Sequence, residues 1–320
     1  MDTLVSVIMP AYNIAGYIAE SIESIINQEY TDWELIVIND GSTDATPAIV
    51  RSFAQYDSRI TLYDQENQGV SATRNRGINI ATGKYVAFLD GDDLWDASFL
   101  RKAKAAIEIG NINMAYSGFK ALYEDGQCKK IGSQYMDDNI LVPYLDGLIG
   151  IHIGSILADR TFLLKHNIRF TAGCARAEDI EFILKILCFG TIKSVPEELM
   201  MYRKRVGSAT HSTFNWQTHL QEIEAYRRVL QYIQSCGNTS RDVLKLLTEK
   251  IGFYRYRLLW KMIKHHNHLE AQEMLSSPEC LHDLMAMNKA NLRIAKQLQY
   301  SVIMSKNKYL WKACSLGLFK

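Results

Sequence analysis

Apolar residues in the first ninety positions fall into four short runs, at 4–9, 35–38, 60–63 and 85–89, most of them rich in β-branched side chains. Runs of this length bounded by polar residues read as strands. Between them the apolar positions take a helical period: Ile18, Ile22, Ile25 and Ile26 form an i, i+4, i+7, i+8 stripe. Asp44 can cap a second helix carrying Ile49, Val50 and Phe53, with Pro47 tolerated in its first turn. A third helix is predicted from near Gly69 to near Gly83, with Val70, Arg74, Gly77 and Ala81 on one face and Arg76 pointing elsewhere. Gly77 would let it approach a neighbour closely.

Strands alternating with helices of this length predict βαβ units and a mainly parallel sheet. Ligands of such sheets bind beyond the carboxyl ends of the strands. Those ends carry Pro10-Ala11-Tyr12-Asn13, Asn39-Asp40-Gly41-Ser42, the segment 64–69, and Asp90-Gly91-Asp92-Asp93. One rim of the sheet is therefore polar and acidic. Further on, 111–123, 151–158 and 199–203 read as strands, 176–189 as a helix, and the chain from 215 onward as almost wholly helical. The organisation expected is a βα half over 1–93, a mixed half of the same domain over 94–214, and a helical region over 215–320.

Composition narrows the class. The 320 residues are 48% apolar and 22% charged, with 36 Lys plus Arg against 35 Asp plus Glu, so no global field favours nucleic acid. The last seventy residues hold 11 basic and 4 acidic side chains, which makes that tail basic. Its stretch Arg255, Arg257, Leu258, Leu259, Trp260, Lys261, Ile263 and Lys264 can pack on its own protein or lie on an anionic bilayer. Six scattered cysteines without a C-x-x-C pair argue against a zinc knuckle or a disulfide framework. With no signal-peptide pattern and no run long enough to span a bilayer, a cytoplasmic location is expected, including a peripheral one at the inner face of the membrane.

Three carboxylates within four positions at 90–93 repel one another unless a cation is near. Mg²⁺ or Mn²⁺, which accepts one or two carboxylates together with substrate phosphate oxygens, would resolve the repulsion. A solvated turn, with Asp93 or Asp96 capping the helix that carries Phe99 and Leu100, is the plainer reading. Glu178 and Asp179 open another helix, where its dipole alone favours acids.

Taken in order, the segments VSVIMPAYN (5–13), NDGSTD (39–44), NQGVSATRNRGI (67–78), FLDGDD (88–93), AED (177–179) and YRKRVGSATH (202–211) resemble the successive motifs of glycosyltransferase family 2. The resemblance implies the α/β GT-A nucleotide-diphospho-sugar transferase fold, with 1–93 as its nucleotide-sugar-binding half and 94–214 as its acceptor-binding half, and inverting transfer of a hexose or N-acetylhexosamine from a UDP-sugar. The acceptor implied is a saccharide or lipid-linked saccharide, in bacterial polysaccharide or lipopolysaccharide synthesis. It further implies that Pro10, Ala11 and Tyr12 line the nucleoside pocket, that Asp40 accepts from the uracil imide, and that Arg74 reaches the base or phosphates. Asp90, with Gly91, would meet the ribose hydroxyls, and Asp92 would ligate the divalent metal with Asp93 in support. Asp179 would be the general base, Glu178 an acceptor-binding residue, Arg205 a phosphate contact and His211 a metal or phosphate contact. Other readings are a haloacid-dehalogenase-like phosphatase using FLDGDD, a non-catalytic sugar-nucleotide-binding subunit, and a nucleotidyltransferase, this last disfavoured by the lack of an N-terminal glycine-rich loop.

Overall fold

A computed structural model describes residues 3–131, 134–174, 176–205, 214–237 and 240–287. The chain forms two compact units, Met1–Ser212 and Thr213–Lys320.

The first unit begins as the alternation predicts: β1 (Val5–Ala11), α1 (Ile18–Ile26), β2 (Trp33–Asp40), α2 (Thr46–Tyr56), β3 (Ile60–Gln65), α3 (Val70–Ile80) and β4 (Tyr85–Phe88). β5 (Leu94–Trp95), α4 (Phe99–Glu108), β6 (Met114–Leu122), β7 (Cys128–Lys130), α5 (Leu141–Leu145), β8 (Ile156–Asp159), α6 (Arg160–Lys165), α7 (Glu178–Leu187) and β9 (Ile192–Arg203) follow. The described strands make one nine-stranded sheet in the order β3-β2-β1-β4-β8-β6-β9-β5, with β7 on β6. β3, β2, β1 and β4 are parallel; β8 joins antiparallel to β4 and to β6, while β9 runs parallel to β6.

The predicted elements differ from the observed ones in four places. The N-cap residue of α2 is Ala45 rather than Asp44, whose Oδ1 accepts from the Thr46 amide at 2.9 Å. The strand expected over 151–158 is a 3-10 turn, Ile153–Ser155, followed by β8. The strand expected over 199–203 is the end of a twelve-residue β9, kept in register with β6 by irregularities at Ser117, Gly118 and Phe119. Neither Asp93 nor Asp96 is the N-cap residue of α4: that position is Ser98, whose amide and hydroxyl donate to Asp96 Oδ1 at 3.0 and 2.6 Å.

Val5, Val7, Met9, Leu35, Val37, Ala87 and Leu89 form a dry core with Ile18, Ile22 and Ile25 of α1 and with Phe99, Leu100 and Ala103 of α4. On the opposite face Gly77 brings α3 onto β1. A Cβ there would stand 2.3 Å from Ile8 Cγ2, so only glycine allows this approach. It holds Arg74, one turn earlier, against the sheet.

The second unit contains α8 (Trp216–Ser235), α9 (Arg241–Lys264), α10 (His268–Ser276) and α11 (Pro278–Met285). Leu258, Leu259, Met262 and Ile263 of the basic stretch are buried. Arg255 is buried too, with Nε donating to Asp283 at 2.9 Å and Nη2 to Glu279 at 2.8 Å. This arginine is therefore not available to a bilayer surface, and packing inside the unit accounts for most of the stretch. Phe253, Arg257 and Lys264 remain exposed. Among the described residues no helix is long and apolar enough to cross a membrane.

Candidate active site

The carboxyl ends of β1, β2 and β4 lie side by side, because Ala11 pairs with Asn39 and Ile8 with Phe88. Tyr12 follows β1 with 51% of its surface exposed, an aromatic face free to stack on a planar ligand. Asn13, at φ +49°, ties this end to the next: its amide donates to Ser42 Oγ at 3.0 Å and its Oδ1 accepts from the Thr43 amide at 2.8 Å. Pro10 and Ala11 close the strand behind Tyr12.

Asp40 is buried and accepts three hydrogen bonds, from Gln65 Nε2 at 2.7 Å and from the Gln68 and Gly69 amides at 2.9 Å each. Its carboxylate thus shapes the entry to α3 and keeps limited acceptor capacity for a ligand. Gly91 is explained by packing, since a Cβ there would meet Ile14 Cδ1 at 2.3 Å.

Each carboxylate of the acidic turn has its own partner. Asp90 accepts from Arg74 Nη2 through both oxygens, at 2.7 and 3.0 Å. Asp92 Oδ2 lies 2.7 Å from Arg205 Nε. Asp93 Oδ1 accepts from the Arg203 amide at 2.9 Å, and Arg203 Nε donates to the Asp92 carbonyl at 2.8 Å. The end of β9 is thereby fastened to the turn, and Arg203 also reaches Glu20 at 2.6 Å.

Arg74 connects this cluster to the second acidic pair. Its side chain is 3% exposed, and Nη1 lies 3.4 Å from Glu178 Oε1. The sequence suggests that Arg74 meets the base or phosphates; in the folded chain it pairs with Asp90 and Glu178. Behind it Phe170 stacks on Phe182 with centroids 4.1 Å apart, and Phe88 sets its edge on both rings. Asn75 exchanges two hydrogen bonds with the Phe170 backbone, at 2.8 and 3.0 Å, which fixes the segment leading to α7. α7 starts abruptly from Ala177 at φ +63°, a conformation costly for a non-glycine residue and held here by its surroundings. Glu178 and Asp179 fill the first turn, where unpaired amides favour negative charge.

The electrostatics divide the carboxylates. Burial opposes ionisation of Asp90, but the Arg74 guanidinium outweighs it and holds Asp90 below the usual range. For Asp92, burial and the Asp90 charge outweigh Arg205 and raise its pKa. Burial, then Asp90 and Asp92, push Asp93 well above the ordinary 3.8. Glu178 is raised by burial and by Asp179, against the pull of Arg74.

Asp93 therefore favours its protonated form in the fold. Because its folded pKa exceeds its unfolded one, the folded protein binds the extra proton, and stability is lost as pH rises from about 4 through the folded value. Asp93→Asn, which keeps an acceptor for the Arg203 amide, is expected to raise the thermal midpoint at pH 8 and leave it nearly unchanged at pH 4. Scanning calorimetry at the two pH values checks this.

Two features escaped the sequence. Asn75 and Phe170 build the bridge to α7 across 95 positions, which no local motif signals. His152, in the loop before the 3-10 turn, lies within electrostatic reach of Asp90 and Asp179. His211 lies outside the described residues.

The family model described as glycosyl transferase family 2 matches residues 6–174. The chain belongs to this family. It is a glycosyltransferase with the GT-A fold, and a phosphatase nucleophile at Asp90 is set aside with that assignment. An uncharacterized glycosyltransferase of Haemophilus influenzae is 34% identical over 222 residues, 66% of this chain and 68% of the relative. The Escherichia coli protein WfgD, named as a UDP-Glc:alpha-D-GlcNAc-diphosphoundecaprenol beta-1,3-glucosyltransferase, is 33% identical over 196 residues, 61% of this chain and 74% of the relative. Several other curated relatives are matched over only 17% to 49% of their own length. S. aureus TarS 1-349, solved in complex with UDP-GlcNAc, shares the fold at a TM-score of 0.73 and 18% identity, over 99% of this chain and 91% of that one.

Proposed function

We propose that this glycosyltransferase moves a hexose or N-acetylhexosamine from a UDP-sugar to a hydroxyl of a saccharide or lipid-linked saccharide, in one displacement with inversion, during cell-surface polysaccharide synthesis. The observation that carries this reading is the guanidinium of Arg74, which joins Asp90 on the donor rim to Glu178 at the start of α7. It holds together two acidic groups from distant parts of the chain, to which the reading gives separate tasks. Tyr12 and Asp40 would receive the nucleoside by stacking and by accepting its imide N–H. Asp90 would accept from a ribose hydroxyl.

Asp179 would accept the proton of the acceptor hydroxyl as that oxygen bonds to the anomeric carbon and the bond to the diphosphate oxygen breaks. Glu178, fixed by Arg74, would orient the acceptor. Arg205 would turn from Asp92 toward the diphosphate. Among the described residues no group of three or more His, Cys, Asp or Glu side chains is placed to hold a metal by itself. A hard divalent ion does not need one, since a single carboxylate and substrate phosphates suffice. Asp92, already facing a cation, fits that role, with His211 as the second candidate ligand. Mn²⁺ or Mg²⁺ bound there would add positive charge against the departing diphosphate.

The names and complexes of WfgD and TarS support a UDP-sugar donor, and WfgD supports a lipid-linked acceptor. Peripheral contact with an anionic membrane would use the exposed Phe253, Arg257 and Lys264. A panel of nucleotide sugars, scored for nucleotide release with Mn²⁺ and with chelator, tests the proposal. Release from UDP-sugars that chelator removes is expected, and release from GDP-sugars alone would overturn the donor assignment. With a lipid-linked acceptor in anionic vesicles, R257E/K264E should slow transfer, and unchanged transfer would remove the membrane contact.

A further inference from the structure

His152 is held as firmly as the proposed catalytic groups, yet one of its ring nitrogens is unused. Nδ1 accepts from the Gly154 amide at 3.1 Å, so the neutral ring carries its proton on Nε2. Ser155 Oγ clasps the same residue, accepting from the His152 amide at 3.2 Å and donating to its carbonyl at 2.8 Å. Trp95 Nε1 donates to the Gly154 carbonyl at 2.6 Å, and a Cβ on Gly154 would approach Met200 Cε to 2.9 Å. The ring itself lies between Phe119 and Tyr202, with centroids 5.3 and 5.2 Å away. Among the described residues Nε2 has no hydrogen-bond partner, although Asp90 and Asp179 are both close enough to act on the ring electrostatically.

A donor fixed this completely and left unpaired beside two site carboxylates is suited to an uncharged oxygen ligand. We propose that His152 Nε2–H donates a hydrogen bond to a sugar hydroxyl bound between Asp90 and Asp179, making His152 a sugar-recognition residue of this site. The inference rests on the reading of Asp90 as donor-side and Asp179 as acceptor-side. Burial lowers the imidazole pKa, the approach of Arg74 and Lys204 acts in the same direction, and Asp90 and Asp179 oppose them. The net shift favours the neutral ring, a donor matched to a hydroxyl. The sugar is either the one transferred or the acceptor's, and the kinetics separate these.

The experiment compares His152→Asn and His152→Gln with the unaltered protein. Asparagine can still accept from the Gly154 amide but loses the distal donor; glutamine restores an amide donor near the Nε2 position. His152→Asn is expected to keep its thermal midpoint and its UDP affinity while losing on the order of ten- to a hundred-fold in kcat/KM for transfer, with partial recovery in His152→Gln. Weaker binding of the UDP-sugar with unchanged UDP binding assigns the donor sugar; a raised acceptor KM alone assigns the acceptor. Unchanged kinetics in His152→Asn, or an equal loss of UDP and UDP-sugar affinity, would overturn the inference. Failure of the unaltered protein to transfer from any UDP-sugar would instead count against the functional reading beneath it.

Discussion

Asp179→Asn is expected to lower transfer by about two to four orders of magnitude while leaving UDP-sugar affinity near that of the unaltered protein. An inverting displacement requires the acceptor hydroxyl to lose its proton as the new bond forms. A side-chain amide of the same shape cannot accept that proton. The substitution should be well tolerated, because Asp179 occupies the first turn of α7 and, among the described residues, its Oδ1 accepts only the neighbouring Ile180 amide, at 2.7 Å. The amide oxygen of asparagine can do the same. Donor titration by calorimetry beside a transfer assay separates the two properties. Parallel loss of affinity and turnover would make Asp179 a binding group and remove it as the base.

Arg74→Ala acts through a different mechanism and is expected to cost about 3–5 kcal/mol of stability. The guanidinium is the shared counter-charge of Asp90 and Glu178, and its own side chain is 3% exposed. Removing it leaves two partly buried carboxylates without their partner and a void beside Phe170, whose ring centroid lies 5.2 Å from the guanidinium carbon. The pH dependence has a definite sign. Asp90 is held below its unfolded pKa by Arg74, so its contribution is present above the unfolded value and is lost as pH falls through the folded one. Arg74→Ala should therefore show its full destabilisation at neutral pH and a smaller one in acid. Urea unfolding at pH 7 and at about pH 2.5, below the ordinary carboxylate value of 3.8, measures both, and equal losses at the two would sever Asp90 from this role. Arg74→Lys should recover only part of the stability, because one ammonium replaces a fork that reaches two carboxylates.

The parallel half of the fold was readable because each of its elements has a local signature. The isoleucine stripe of α1, Pro47 in the first turn of α2 and the shared face of Arg74 and Gly77 on α3 are set by spacing, and the folded chain uses each as spacing implies. The acidic strand ends were legible for the same reason. What spacing could not convey is which charge answers which. Arg74 and Glu178 are 104 positions apart, and Arg203 and Asp93 are 110 apart; both pairings depend on the sheet order β4-β8-β6-β9. Without that order Arg74 reads only as a ligand contact, whereas in the fold it also pairs with Asp90 and Glu178.

The same limit affected the second half of the site. β9 is more than twice the length its apolar run implies, because pairing with β6 extends it through polar positions such as Ser194 and Glu198. His152 lies in a loop, where periodicity is silent, and its only local signal is the reciprocal bonding of His152 and Ser155 around a 3-10 turn. In the helical unit, Arg255 belongs by composition to a basic surface but by contact to Asp283, 28 positions away. Charge composition describes a segment; its partners decide which way each charge faces.

The proposed reaction is a single displacement, with Asp179 taking the proton on the face of the sugar opposite the departing diphosphate. The anomeric configuration of the first-formed product tests it most directly, read by NMR from the coupling constant at the transferred sugar. From an α-linked UDP-sugar of gluco configuration, the account predicts a β-linked product from the earliest time point. An α-linked product would contradict it.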